Sequence, residues 1–175
     1  MKLRSIIPFV FTMLIMGCAS ISGYDFEPDS LADAEGLMSY HVDEFEGDAW
    51  LKTEPVVNLE HPNAIYHLRA HYTNNGKMNF LQVYVNLRVS DWHFLEGVAM
   101  KGESATLTKI DREVVSGGHV HEDVAVNISI DTLNRMSQRD TKIKLKGKRG
   151  DYVFSVNKHI SKAMLDSIES KSIAE

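Results

Sequence analysis

FLQVYVNLRV, residues 80–89, is the stretch that decides the fold. Leu81, Val83, Val85, Leu87 and Val89 fall on one side of an extended chain, and Phe80, Gln82, Tyr84, Asn86 and Arg88 on the other. Period two is the signature of a strand with one buried face. The aliphatic side is long and unbroken, so the strand is expected near the centre of a sheet. Just upstream, Thr73-Asn74-Asn75-Gly76-Lys77 contains Asn-Gly, the dipeptide that best accepts positive φ at a hairpin tip. Before it, Ala64–Tyr72 repeats the alternation, with Tyr66, Leu68, Ala70 and Tyr72 set against His67, Arg69 and His71. The two stretches are expected to pair as a hairpin.

Working outward, period two continues at 40–45 and 49–59, the latter interrupted by Pro55, which cannot donate to a ladder and marks an edge or a bulge. Further strands are expected at 92–100, 105–115 and 119–130, the last two joined by Ser116-Gly117-Gly118. Thr141–Gly147 and Tyr152–Val156 form a final hairpin. Two stretches change period. Residues 131–139 read as a short helix capped by Asp131 or Thr132, and 157–171 as an amphipathic helix capped by Asn157, with Ile160, Met164 and Ile168 along one face. Strands at regular spacing with helices only late predict a mainly β fold. The expectation is an antiparallel β-sandwich or flattened barrel with a short helix and a C-terminal amphipathic helix. Residues 37–175 are expected to form this single β-rich domain. Residues 18–36, small, acidic and Gly-punctuated, read as a tether with one helical turn near 30–35.

The chain carries a formal net charge of −5, which argues against a nucleic-acid partner, since phosphate binding needs a basic footprint. It has one cysteine, Cys18, so an intramolecular disulfide is excluded and the domain must fold on its apolar core.

Around that cysteine lies the clearest address in the sequence. In MKLRSIIPFVFTMLIMGCAS, residues 1–20, Lys2 and Arg4 precede an apolar run from Ile6 to Met16, and small residues follow. Cation, apolar run and small residues in that order make a secretory signal. Ile15-Met16-Gly17-Cys18 resembles the lipobox of bacterial lipoproteins. The resemblance implies a signal peptide over 1–17, cleavage between Gly17 and Cys18, and a covalent lipid on Cys18 in place of any other cofactor. Three acyl chains would make membrane attachment stable where one is marginal. Ala19 after the cysteine, where an aspartate would retain the protein, implies the outer membrane of a Gram-negative host. In a Gram-positive host the anchor would hold the protein on the outer face of the plasma membrane.

Four groups of residues are candidates for chemistry. His119, His121 and Asp123 alternate, so a strand would set them on one face, and imidazole with carboxylate suits zinc or copper. His67 and His71 are possible additions from another strand. Ligands along one strand do not converge, so a hydrated strand face is the expected reading. Lys142, Lys144, Lys146 and Lys148, with Arg149 beside them, form a stripe that suits an anionic partner such as lipid head groups; an edge strand guarded by lysine against aggregation is the expected alternative. Glu113, Glu122 and Asp123 fall across one hairpin, a pattern of general acid–base work, and Glu122 points inward; a partner such as Arg112 or Arg88 would make it a satisfied ion pair instead. Finally, Trp50, Trp92, Phe94, Tyr66, Tyr72 and Tyr84 are either core or the lining of a ligand cavity. Together these readings lead to a membrane-anchored envelope lipoprotein with a non-enzymatic binding or assembly module, its partner an envelope protein or other envelope component. The alternative is a small-ligand or metal-binding module on the His119/His121/Asp123 face, and an envelope hydrolase comes third.

Overall fold

Along the chain the elements run β1 (Asp25–Phe26), α1 (Leu31–Gly36), β2 (Met38–Val42), β3 (Ala49–Thr53), β4 (Val56–Val57), β5 (Ala64–Tyr72), β6 (Met78–Val89) and β7 (Leu95–Met100). They continue with β8 (Thr106–Val114), β9 (Val120–Asn127), α2 (Ile130–Met136), β10 (Thr141–Gly147), β11 (Tyr152–Val156) and α3 (Lys158–Ser172). This computed structural model describes residues 24–58 and 60–172; the expected signal peptide 1–17 and Cys18 lie outside them.

β6 stands between β5 and β9 in the larger sheet, ordered β1-β4-β5-β6-β9-β8, as its long aliphatic side demands. Val83, Val85 and Leu87 are fully buried. The β5–β6 hairpin turns at Gly76 with φ of 77°. β3 and β4 lie along the same side of β5 and are parted at Pro55. Thr53 repairs the gap: its buried Oγ1 accepts from Leu68 N at 3.1 Å, a donor that the broken ladder would otherwise leave unpaired.

A second sheet, β11-β10-β7, supplies the opposing layer. Its Ile143, Leu145, Phe154 and Val156 share one core with the inward side of β5, β6 and β9, and the Phe154 and Tyr66 rings lie 5.8 Å apart. Ile160 and Met164 of α3 complete that core, on the face its i, i+4 spacing predicted. Two sheets without closure set the flattened barrel aside: the fold is mainly β and sandwich-like, with a C-terminal helix. β1 also departs from an all-antiparallel plan, because it pairs parallel to β4.

Three local expectations are corrected. The expected tether runs to residue 36, yet the described part of it is built into the domain. β1 joins the sheet, and α1, capped by Ser30 Oγ on Asp33 N at 3.2 Å, buries Ala34 completely. The acidity that suggested a solvated linker is partly used up, since Glu27 accepts from the Tyr66 hydroxyl and from Asn58 Nδ2. Asn157 then joins this segment to the start of α3, its N–H on the Tyr66 oxygen at 2.9 Å and its amide on Pro28 O at 3.2 Å. In α2 the cap is Ser129, not Asp131 or Thr132; its Oγ accepts from Thr132 N at 3.1 Å. Finally, β10 is the middle strand of its sheet, so its lysines do not guard an edge.

Glu122 is the inward exception on β9, with no exposed surface, and its partners show why it is tolerated. The three residues entering β7 donate their backbone N–H groups to it: His93 at 2.6 Å, Phe94 at 3.0 Å and Leu95 at 2.9 Å. Arg112 closes the ring from β8, with Nε on Glu122 at 3.1 Å and Nη2 on Leu95 O at 3.1 Å. Phe94 turns with φ of +53° at this crossover, a conformation that a non-glycine residue holds only where its surroundings fix it. Gly147 is needed on the facing side, where a Cβ would come within 2.4 Å of His93 O.

Glu122→Gln should therefore cost about 2–4 kcal/mol in a denaturant titration, since an amide NH2 replaces an acceptor facing backbone donors and the Arg112 pair is lost. A change below about 1 kcal/mol would contradict the role given to this carboxylate.

Candidate functional site

The outward face of the larger sheet follows from the same alternation that buries its other side. Cross-strand register arranges its side chains in rows. Trp50, His71 and Phe80 make the first, with centroid separations of 4.7 Å for Trp50–His71 and 5.2 Å for His71–Phe80. His71 also meets Asp48 at 3.1 Å. The next row is a chain of amides: Arg69 Nε donates to Gln82 Oε1 at 2.9 Å, Gln82 Nε2 to Asn127 Oδ1 at 2.8 Å, and Asn127 Nδ2 to Thr108 Oγ1 at 3.0 Å. The Arg69 guanidinium lies over both the Trp50 ring, at 5.6 Å, and the Tyr84 ring, at 4.6 Å.

Beyond Tyr84 the face deepens into a cleft of about 300 Å³. His67 stacks on Tyr84 at 4.8 Å along one wall. On the floor Asn86 Nδ2 donates to Asp123 Oδ1 at 2.5 Å, and Arg88 Nε donates to Asn86 Oδ1 at 2.7 Å. Tyr24 covers Arg88 from the N-terminal segment: ring and guanidinium are 4.8 Å apart, and Arg88 Nη2 donates to the tyrosine hydroxyl at 2.6 Å. His121 and Glu113 meet at 3.2 Å on the far rim, while Pro55 and Ile65 supply the apolar wall.

Electrostatics here follow from burial among cations. His67 is pushed down from 6.5 to about 4, first by burial and then by Arg69 and Lys52, so it is a neutral imidazole at physiological pH. Burial and the hydrogen-bonded Asp123 push the Tyr84 hydroxyl up to about 12, so it stays protonated. The cleft therefore presents a neutral imidazole, a phenol, an amide, a carboxylate and a guanidinium, held by one another.

The expected histidine set is only partly brought together. His121 and Asp123 line the cleft, whereas His119 is exposed in the turn before β9 and does not. His67 lines it as well, but His71 belongs to the Trp50 row. Among the described residues no group of three or more His, Cys, Asp or Glu is placed to hold a metal ion. Lys142, Lys144 and Lys146 are on the other sheet, remote from this face, and Lys148 lies in the turn after them. Of the aromatic candidates, Tyr84 lines the cleft and Trp50 stands on the same face, while Tyr66 is core. Sequence reasoning missed Tyr24, Asn86 and Arg88 as site residues. The outward positions of residues 80–89 were the available signal for the last two. No protein-family model and no curated protein matches the chain.

The depressed His67 sets a pH test. Between pH 6.5 and 4 the unfolded chain binds this proton more tightly than the folded one. Stability is therefore full above 6.5 and falls as pH drops toward 4. His67→Gln should remove ~2 kcal/mol of the acid-induced loss across that window, read as the difference between the two proteins' urea midpoints at each pH. Parallel curves would contradict a buried neutral imidazole.

Proposed function

We propose that this chain is an envelope lipoprotein, anchored through lipid on Cys18 in the outer membrane, whose β domain is a non-enzymatic binding module, and that the cleft beside Tyr84 is where it binds. One observation carries the reading. Polar side chains from β5, β6, β8 and β9, with Tyr24 from the N-terminal segment, converge on a single cleft flanked by aromatic rings. Fixed donors and acceptors beside an aromatic wall suit a polar ligand of envelope origin, because groups already ordered lose little entropy on binding. Arg88 and Asn86 offer donors, Asp123 an acceptor, and Tyr84 and His67 a stacking surface.

For the anchor, Cys18→Ser should leave unprocessed and unlipidated precursor in the cell. Mass spectrometry that finds normal maturation of this variant would sink the lipoprotein reading.

For the cleft, thermal denaturation with disaccharides, muropeptides and free amino acids should identify a stabilising ligand. That stabilisation should vanish in Asp123→Asn and in Arg88→Ala. Stabilisation that survives both substitutions, or none from any of the three classes, counts against the cleft.

A further inference from the structure

Lys142, Lys144 and Lys146 project from the outer face of the smaller sheet, at its centre. β10 is hydrogen-bonded on both sides, so lysine has no edge to protect there. The neighbouring positions are small or short: Ser155 lies opposite Lys142, Val153 and Ala99 opposite Lys144, and Gly97 opposite Lys146. The ammonium groups thus stand above a low, smooth surface. Three ion pairs lie toward one end, Lys144–Asp151 at 2.6 Å, Lys148–Glu96 at 3.5 Å and Arg149–Asp91 at 3.3 Å. At the other end Lys142 adjoins Lys101 and Arg139 around a shallow depression of about 460 Å³. Among the described residues, no carboxylate lies within ion-pair distance of Lys101, Arg139, Lys142 or Lys146. Asp140 beside the depression accepts from Lys158 N at 2.9 Å, while Glu103 acts on Arg139 and Asp151 on Lys146 from beyond ion-pair distance. In a chain of net charge −5, the cations of this face outnumber the carboxylates paired with them, and like charges at alternate positions of a strand repel.

We propose that this face is a docking surface for the phosphate head groups of an anionic membrane. Charge complementarity selects the occupant, and flatness selects a plane of head groups over a single bound anion. The attraction acts within about 10 Å of the surface, so the face must lie against it. In this the inference rests on the lipid-anchored reading, since an anchor on the same chain makes docking intramolecular.

Unlipidated residues 19–175, which contain the whole described core, would be sedimented with phosphatidylcholine vesicles with and without phosphatidylglycerol. Because no lipid is attached, the result is independent of whether Cys18 is processed. Binding should require phosphatidylglycerol and be lost at high salt. Each neutralised lysine in Lys142→Gln and Lys146→Gln should weaken it about fivefold, with Lys142→Arg and Lys146→Arg restoring it. Binding that ignores phosphatidylglycerol, or none at all, would overturn the proposal. So would an equal loss in Lys52→Gln, on the opposite sheet, because net charge and not this face would then be responsible.

Discussion

A single buried carboxylate pins the crossover between the two sheets, over the apolar core that both share. Glu122 sits on β9 of the larger sheet, and its acceptor capacity is spent on the three backbone N–H groups that lead into β7 of the smaller one. His93 and Phe94 lie just before β7 and Leu95 opens it, and their N–H groups have Glu122 as acceptor, without which they would be left unpaired. Arg112 supplies the counter-charge and ties the same knot to β8. A hydrophobic residue of similar size at 122 would fill the space yet leave the crossover unpaired. The carboxylate therefore belongs to the architecture, although paired acids across a hairpin are also a pattern of catalysis.

With the inward side of the larger sheet sealed in this way, its outward side is left to display chemistry. Arg69, Gln82 and Asn127 hold one another in a row, and Asn86, Asp123 and Arg88 do the same one step further on. Such linked groups polarise and orient each other, so the face is ordered before anything binds to it. The opposite sheet displays a different chemistry, of lysines above glycine, alanine and serine. The two faces of the sandwich therefore differ in character, one a network of linked polar groups beside aromatic rings and the other a row of cations.

Much of this was legible in the residues. Alternation alone placed Ala64–Tyr72, Thr141–Gly147 and Tyr152–Val156 at their observed bounds, and Pro55 where the strand breaks. It also turned Glu122 inward, with Arg112 or Arg88 to satisfy it, and the folded chain uses Arg112. What stayed hidden depended on contacts distant in sequence. The segment from Tyr24 to Gly36 looked like linker because its composition is acidic and its periodicity slight; Tyr66, Asn157 and Arg88, all far along the chain, give it partners. The lysine stripe could not reveal whether its strand lay at an edge, since β7 and β11 reach it from either side of the sequence. In the cleft, His121 and Asp123 were visible as a pair on one face. That His119 falls short of the strand, and that Asn86, Arg88 and Tyr24 complete the lining, required strand register and a folded N-terminal segment.

Amide hydrogen exchange at His93, Phe94 and Leu95 tests the central claim most directly. The N–H groups of all three donate to Glu122, and their protection depends on it. The account predicts exchange as slow as in the buried strand β6, governed by global unfolding, and selectively faster in Glu122→Gln. Exchange at the rate of an exposed loop in the native protein would contradict it, and the two layers would then have to be held by their apolar contacts alone.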